Sequence, residues 1–264
     1  ESDGSWSVNV TDGLPEGDYT VEGSITDEAG NTTTETGSFT VDTTSPGLEL
    51  DDDNIVTNDL TPEISGTTDA DQEGNQVSVV ITDEGDNEVF NGETIVDENG
   101  NWNIELPEGE ELDDGSYTVE SEITDEAGNT TTATGDLEID LTDPDLTAND
   151  TVTNTTTPTI TGTSDEIGGT VTVTINGTEY TGIVESDGSW SVNVTDGLPE
   201  GDYTVEASIT DEAGNTTTVE SRLELNTTEP TLTVEDSITN GTTPTITGGT
   251  DEPDGSQVTV TVDG

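Results

Sequence analysis

Thr26-Asp27-Glu28-Ala29-Gly30-Asn31-Thr32-Thr33-Thr34 occurs again, unchanged, at residues 124–132 and 210–218 of a 264-residue chain. Each copy is approached the same way, by a Gly-containing acidic loop, a tyrosine (Tyr19, Tyr117, Tyr203) and a run that alternates apolar and polar residues. A tryptophan stands upstream of each. Trp6 precedes Asp27 by 21 residues, Trp102 precedes Asp125 by 23, and Trp190 precedes Asp211 by 21. The three aspartates are 98 and 86 residues apart. That is the length of one small β domain rather than of a solenoid turn.

Composition alone argues against folding. The formal charge is -61, hydrophobic residues make up 25% and aromatic residues 3%, a balance found in chains that cannot bury enough apolar surface. Periodicity argues the other way. The few apolar residues fall at every second position of short runs bounded by Gly, Pro, Asn and Asp, as in half-buried strands. The chain therefore folds once its charge is screened. Cysteine, histidine and methionine are absent, so disulfides give no information on compartment and soft-metal sites lack ligands. No apolar run reaches the length of a membrane span, no targeting segment is visible, and the sequence starts in mid-strand.

In chain order, residues 1–44 carry the second half of a repeat: a strand at Trp6-Val8-Val10, another at Tyr19-Val21-Ile25, a hairpin loop at 27–31, and a last strand at Phe39-Val41. A complete repeat spans 45–141, with inward residues Leu48-Leu50, Pro62-Ile64-Gly66, Val77-Val79-Ile81, Trp102-Ile104-Leu106, Tyr117-Val119-Ile123 and Leu137-Ile139. A further strand near Val89-Phe90 or Thr94-Val96 brings the number to about seven. A second complete repeat, 142–228, matches it through Ile160, Val171-Val173-Ile175, Tyr180, Trp190-Val192-Val194, Tyr203-Val205-Ile209 and Leu223-Leu225. It is shorter because Pro158 to Trp190 is 32 residues where Pro62 to Trp102 is 40. The extra length is expected in the polar stretch 83–93, where a surface hairpin grows at little entropic cost. Residues 229–264 begin a third repeat, ending on a strand at Val258-Val260-Val262.

The fold class is all-β: tandem two-sheet, Ig-like sandwiches of about seven strands each. The tyrosine after each Gly-containing corner occupies the tyrosine-corner position of that fold. Five motifs, Thr-Pro-Thr-Ile-Thr-Gly-Thr, Val-Thr-Val-Thr, Asp-Gly-Ser-Trp-Ser-Val, Gly-Asp-Tyr-Thr-Val and Thr-Asp-Glu-Ala-Gly-Asn, resemble the bacterial Ig-like tandem repeats of giant calcium-binding (RTX-type) adhesins. The resemblance covers the whole chain. It implies a spacer role, with the adhesin's target ligand bound elsewhere in the parent protein, at the cell surface.

The resemblance also implies an Ig strand order, and with it a pole at which the acids gather. In that order the B–C, D–E and F–G loops lie where the preceding domain enters. In the first complete repeat they hold Asp69, Asp71, Asp97 and Asp125; in the second, Asp165, Asp187 and Asp211; Asp27 and Asp251 are the equivalents in the end segments. The linkers add Asp42, Asp140, Asp143 and Glu229. Arg222 is the chain's single cation. A set of hard oxygens without His or Cys suits Ca²⁺, which takes six to eight oxygen ligands in a flexible shell at ~2.3–2.6 Å. The plainer reading is a solvated acidic face. Residues 69–74 resemble the start of an EF-hand loop, but Val80 stands where the closing Glu belongs. Asn226 replaces the linker aspartates Asp42 and Asp140, so the third joint is expected to bind more weakly.

The Asn-x-Thr tripeptides at Asn31, Asn129, Asn154 and Asn215 are expected by chance in so Asn- and Thr-rich a chain. The threonine runs follow strand period, and the tryptophans are in phase with core valines, so packing is expected of them rather than sugar stacking. The negative charge excludes nucleic acid as a partner. Without His, Cys or Lys the usual bases and nucleophile activators are missing, and no enzymatic activity is expected. Two readings remain open. One is an extender segment of an extracellular adhesin stalk, stiffened by calcium at its interdomain joints. The other is a subunit of a self-assembling surface filament or matrix fibre, in which neighbouring Ig-like repeats of adjacent chains complete each other by strand exchange. Correspondingly, the two half-repeats are expected either to be cut from a longer array or to complete each other between chains.

Overall fold

The computed structural model describes residues 4–262. Among them the chain is strand and loop, with one 3₁₀ turn at Ala70–Gln72. No helix of the described residues is long and apolar enough to cross a membrane. The chain divides into two compact units, residues 1–142 with 212–214 and residues 143–211 with 215–264.

The first unit opens with a hairpin of β1 (Gly17–Thr26) and β2 (Thr32–Val41), paired without interruption from Gly17↔Val41 to Thr26↔Thr32. A sandwich follows, built from β3 (Leu48–Leu50), β4 (Asn54–Thr57), β5 (Glu63–Thr68), β6 (Gln76–Asp83), β7 (Glu88–Ile95), β8 (Asn101–Glu105), β9 (Gly115–Thr124) and β10 (Thr130–Ile139). One sheet has the order β3-β5-β8 and the other β4-β10-β9-β6-β7. Alternation of the kind read in the sequence turns Ile64, Val77, Val79, Ile81, Val119 and Ile123 into a shared core, with Trp102 across it. A side chain at Gly66 would collide with the Trp102 ring, so this position admits glycine only.

β4 is a strand that the sequence pattern did not disclose. The acidic run at 51–53 carries the chain from one sheet to the other, and β4 then lies parallel to β10 with Ile55 beside Leu137. The crossing is fixed by Asp136 N–H on the Asp53 carbonyl at 2.8 Å and by Asn54 N–H on the Asp52 carboxylate at 3.0 Å.

The second unit repeats the arrangement. β11 (Leu146–Ala148), β13 (Thr159–Ser164) and β16 (Ser189–Asn193) form one sheet. The other has the order β12-β18-β17-β14-β15, from β12 (Thr151–Thr153), β14 (Thr170–Ile175), β15 (Thr178–Ile183), β17 (Gly201–Thr210) and β18 (Thr216–Leu225). Asn176 and Gly177 join β14 to β15 with positive φ at both positions, 52° and 79°, the tight mirror-image turn that matches strand twist. In the first sandwich the corresponding turn at 83–87 is longer and is preceded by a register shift at Ile81/Thr82. The extra length of the first repeat is shared between this turn, its two flanking strands and the β5–β6 loop, rather than confined to 83–93.

Two expected strands are missing. Residues 6–10 and 258–262 have no strand pairing, and Trp6, expected in a core, is 72% exposed. The physical reason is the same for both. β16 exists because β13 pairs with it, and β14 because β17 does; residues 4–44 contain no counterpart of β13, and residues 229–262 none of β17. What remains after the second sandwich is β19 (Leu232–Val234) paired with β20 (Gly248–Thr250).

Candidate functional site

Three tyrosine corners set the far end of each module. Tyr19 Oη donates to the Pro15 carbonyl at 2.6 Å, Tyr117 to that of Asp113 at 2.8 Å, and Tyr203 to that of Pro199 at 2.7 Å. Each bond spans four residues and fixes the turn into the long strand that follows.

Hairpin loops of one design recur through the chain, the one at Asp83 at the tyrosine end, where Asp83 pairs with Tyr117, and the others at the opposite pole. Asp27, Asp83, Asp97, Asp125 and Asp211 each receive the backbone N–H of the asparagine four residues on, at 2.8–2.9 Å, and that asparagine's side-chain amide as well. The aspartate's own N–H returns to the asparagine carbonyl at 2.8–3.0 Å. The residue before the asparagine takes positive φ, glycine in four of the loops and Asp86 in the fifth, completing a three-residue hairpin turn of the bulged type. These donors hold the carboxyls of Asp27, Asp83, Asp97 and Asp125 below the ordinary carboxylate range. The asparagine side-chain amide leads for Asp27, Asp83 and Asp125, and the Asn101 N–H for Asp97.

In the first sandwich the loops at this pole and the entering linker, residues 42–47, are tied together. Thr68 N–H donates to the Gly100 carbonyl at 2.7 Å and Gly74 N–H to Val96 at 3.0 Å, which joins the β5–β6 and β7–β8 loops. Asn129 Nδ2 donates to the Asp42 carbonyl at 3.2 Å, Thr131 Oγ1 to the Pro46 carbonyl at 2.6 Å, and Gly47 N–H to Asp69 Oδ2 at 2.6 Å. The other end of the same linker is held by the hairpin module. The Glu16 carboxylate accepts both the Thr43 and Thr44 hydroxyls, at 3.0 and 2.8 Å, and these, Thr44 first, keep its carboxyl below the usual range. The second unit repeats this clasp: Glu200 accepts the Thr227 hydroxyl at 2.6 Å, the Thr227 N–H at 3.0 Å and the Thr228 hydroxyl. Sequence reasoning passed over Glu16 and Glu200. Their signal was a Gly-Asp-Tyr corner preceded by Glu, repeated at the spacing of a Thr-Thr linker.

The predicted metal ligands are thus placed as follows. Asp42 caps its own linker through Thr44 N–H at 3.0 Å, and Asp140 does the same through Thr142 N–H at 2.8 Å. Asp165 accepts Asp145 N–H at 2.8 Å and Asp251 accepts Thr231 N–H at 2.7 Å, the same entering-strand contact that Asp69 makes with Gly47. Asp71 lies in the 3₁₀ turn beside Gln72, and Asp187 holds the hydroxyl and N–H of Ser189. Asp143 and Glu229 stand in the linkers. Asp42, Asp69 and Asp125 are brought to one pole of the first sandwich. However, no group of three or more acids among the described residues is close enough to hold one metal ion. The donor chemistry, carboxylate and carbonyl oxygen only, fits a hard cation such as calcium. The convergence of the carboxylates does not.

Two sheets in Ig order, tyrosine corners and a repeated pole define a tandem array of Ig-like β-sandwich modules. The chain belongs to the bacterial Ig-like domain family, which matches residues 1–43, 49–141 and 142–227. Comparison with curated proteins finds no similar sequence. Among solved structures, a tetra-tandem repeat from the extending region of a large adhesion protein is 30% identical over 84% of this chain and 60% of that one, with a TM-score of 0.36. A Ca²⁺-stabilized adhesin of an Antarctic bacterium that binds ice is 26% identical over 83% of this chain and 59% of that one, TM-score 0.36. A 1.5-MDa bacterial ice-binding adhesin is 25% identical over 78% and 74%, TM-score 0.36. The chain therefore spans 60% of the tetra-tandem repeat structure to which it is similar.

Proposed function

We propose that the chain is a non-catalytic extender segment of an extracellular bacterial adhesin stalk, its interdomain joints stiffened by calcium. The observation that carries this reading is the linker at 42–47, whose hydrogen bonds run to the Glu16 corner on one side and to Asn129, Thr131 and Asp69 on the other. Short linkers between modules ordinarily leave relative motion as the default. A linker whose exposed groups are bonded to the modules before and after it transmits orientation instead, which is what a spacer needs. Membership of the bacterial Ig-like family supports the same role.

Calcium would act on the carboxylates of each module's pole and linker: Asp42, Asp69, Asp71 and Asp125 in the first sandwich, with Asp140 in the linker after it, Asp143, Asp165, Asp187 and Asp211 in the second, Glu229 and Asp251 in the segment that follows, and Asp27 in the opening half-repeat. Like charges there repel in the absence of a cation and become shared ligands in its presence. Extracellular modules of this kind bind at about 10⁻⁴ to 10⁻³ M, so a calcium-rich medium fills such sites and a cytoplasm leaves them empty. Electron microscopy of the native material is the test. The extender reading expects isolated threads leading from the cell surface to a separate tip domain; a helical fibre of many chains, or polysaccharide turnover abolished by one Asp→Asn change, would contradict it.

A further inference from the structure

Each sandwich takes in the chain at one pole and releases it at the tyrosine end. In the first, Leu48 enters opposite Thr68, and the chain leaves after Ile139, which faces Gly115. In the second, Leu146 enters opposite Ser164, and the chain leaves after Leu225, which faces Gly201. Between these points β4 runs parallel to β10, from Asn54 beside Asp136 to Thr57 beside Ile139, and β12 runs parallel to β18 in the same way. Tension between a module's two linkers therefore draws the parallel strands past each other along their length, and their rungs are loaded together. The hairpin β1–β2 is the contrary case. Its ends, Gly17 and Val41, are partners, so tension opens it one rung at a time.

We propose that the parallel pair is the load-bearing clamp of each sandwich and that the two clamps are graded, the second yielding before the first. The ladder has four pairs in the first sandwich and three in the second, Thr151↔Leu223 to Thr153↔Leu225. In the first it is closed at both ends by backbone bonds, Asp136 N–H on the Asp53 carbonyl at 2.8 Å and Asp140 N–H on the Thr57 carbonyl at 3.0 Å. In the second, Asn226 N–H meets the Thr153 carbonyl at 2.9 Å, but Arg222 N–H is held at 2.8 Å by the side chain of Asp150, a carboxylate on a rotatable arm. The apolar anchors differ as well. Leu50 and Ile55 pack on the first core; the corresponding residues of the second sandwich are Ala148 and Thr151, which bring less apolar surface out of water. The proposal deepens the extender reading, on which tension along the chain rests. A spacer with graded modules lengthens at the weaker one, by up to roughly 3.3–3.6 Å per residue released, and keeps the stronger one folded.

Force-clamp pulling on the 264-residue chain, tethered by its two ends, tests it, because forced unfolding reads the unfolding rate directly. The second sandwich is recognised by its smaller extension, its repeat being the shorter. It is expected to unfold first, at a rate at least about fivefold that of the other, the effect of about one net hydrogen bond at the barrier. Ile55→Thr is expected to speed the first sandwich's step by a similar factor, and Thr151→Ile to slow that of the second. Phe90→Leu is the control, in β7 at the far edge of the sheet from β4. It lowers the melting temperature of the first sandwich and leaves its rate under force unchanged, because contacts still intact at the barrier do not set the unfolding rate. Equal rates, or the larger extension appearing first, overturn the proposal. So do clamp substitutions that shift melting without shifting the rates, or a Phe90→Leu chain that unfolds under force as fast as Ile55→Thr. A multi-chain fibre seen by microscopy contradicts the extender reading alone and leaves these rates as they are.

Discussion

Residues 4–41 and 188–225 are close to one sequence in two structural states, and the difference separates local from long-range causes. What the two stretches share is what their own residues determine. The ten-residue hairpin register of β1–β2 is that of β17–β18, from Gly201↔Leu225 to Thr210↔Thr216, and both carry the tyrosine corner and the Asp-to-Asn loop. What they do not share depends on residues 143–175. Trp190 is 2% exposed and Trp6 72%; residues 189–193 form a strand and residues 5–9 do not. The turn chemistry is thus sufficient for the hairpin, and only the opposing sheet makes a core.

The largest test of that contrast is the same substitution made twice. Trp190→Ala removes a buried ring from a close-packed site and is expected to cost about 3–5 kcal/mol of the second sandwich's stability. Trp6→Ala is expected to change it by less than about 0.5 kcal/mol. Denaturant melts of the two variants at a concentration where the chain is monomeric decide the matter, and equal effects would mean that the tryptophans are equivalent after all. A smaller difference is expected at the corners. Tyr203→Phe loses one hydrogen bond, about 1 kcal/mol, from a cooperative unit, whereas Tyr19→Phe loses its bond from a hairpin without a core and leaves the sandwich transitions unmoved.

The smallest effect is a pH dependence. The carboxyls of Asp27, Asp83, Asp97 and Asp125 are depressed by their turn donors. The stabilisation they give is therefore complete above the unfolded-state value of about 3.9 and is lost as pH falls through the lower folded-state value. Acidification also relieves repulsion among the other acids, so the sign is read from a difference. The melting temperature of wild type minus that of Asp125→Asn is expected to be positive near neutral pH and to shrink below about pH 4. A gap that is constant with pH would show that the Asn129 contacts do not depend on the charge.

Much of this was legible beforehand. Period-two alternation gave the β5, β6, β9 and β17 faces, and the repeated corner gave the tyrosine bonds. β4 and β12 escaped because four and three residues after an acid- or Asn-rich turn carry too little pattern to separate strand from loop. The strands expected at 6–10 and 258–262 failed because alternation reports a strand's capacity to be buried and cannot report whether the burying sheet is present. For the acids, sequence spacing placed them at a pole but not the direction of their carboxylates. Asp27, Asp125 and Asp211 are hydrogen-bond acceptors for their own turns before they are available to an ion, and the Asn residue at i+4 was the visible mark of that use.

The claim that the joints are calcium-stiffened is tested most directly by small-angle scattering of the 264-residue chain, with calcium and then with a chelator, beside the Asp125→Asn and Asp211→Asn variants. The account predicts a larger maximum dimension and a higher melting temperature with calcium, both reduced in each variant. The third joint, where Asn226 replaces the linker aspartate, is expected to be the last to respond. Identical scattering and melting in both buffers, unchanged by either substitution, would reduce the acids to turn caps on a solvated surface and contradict the account.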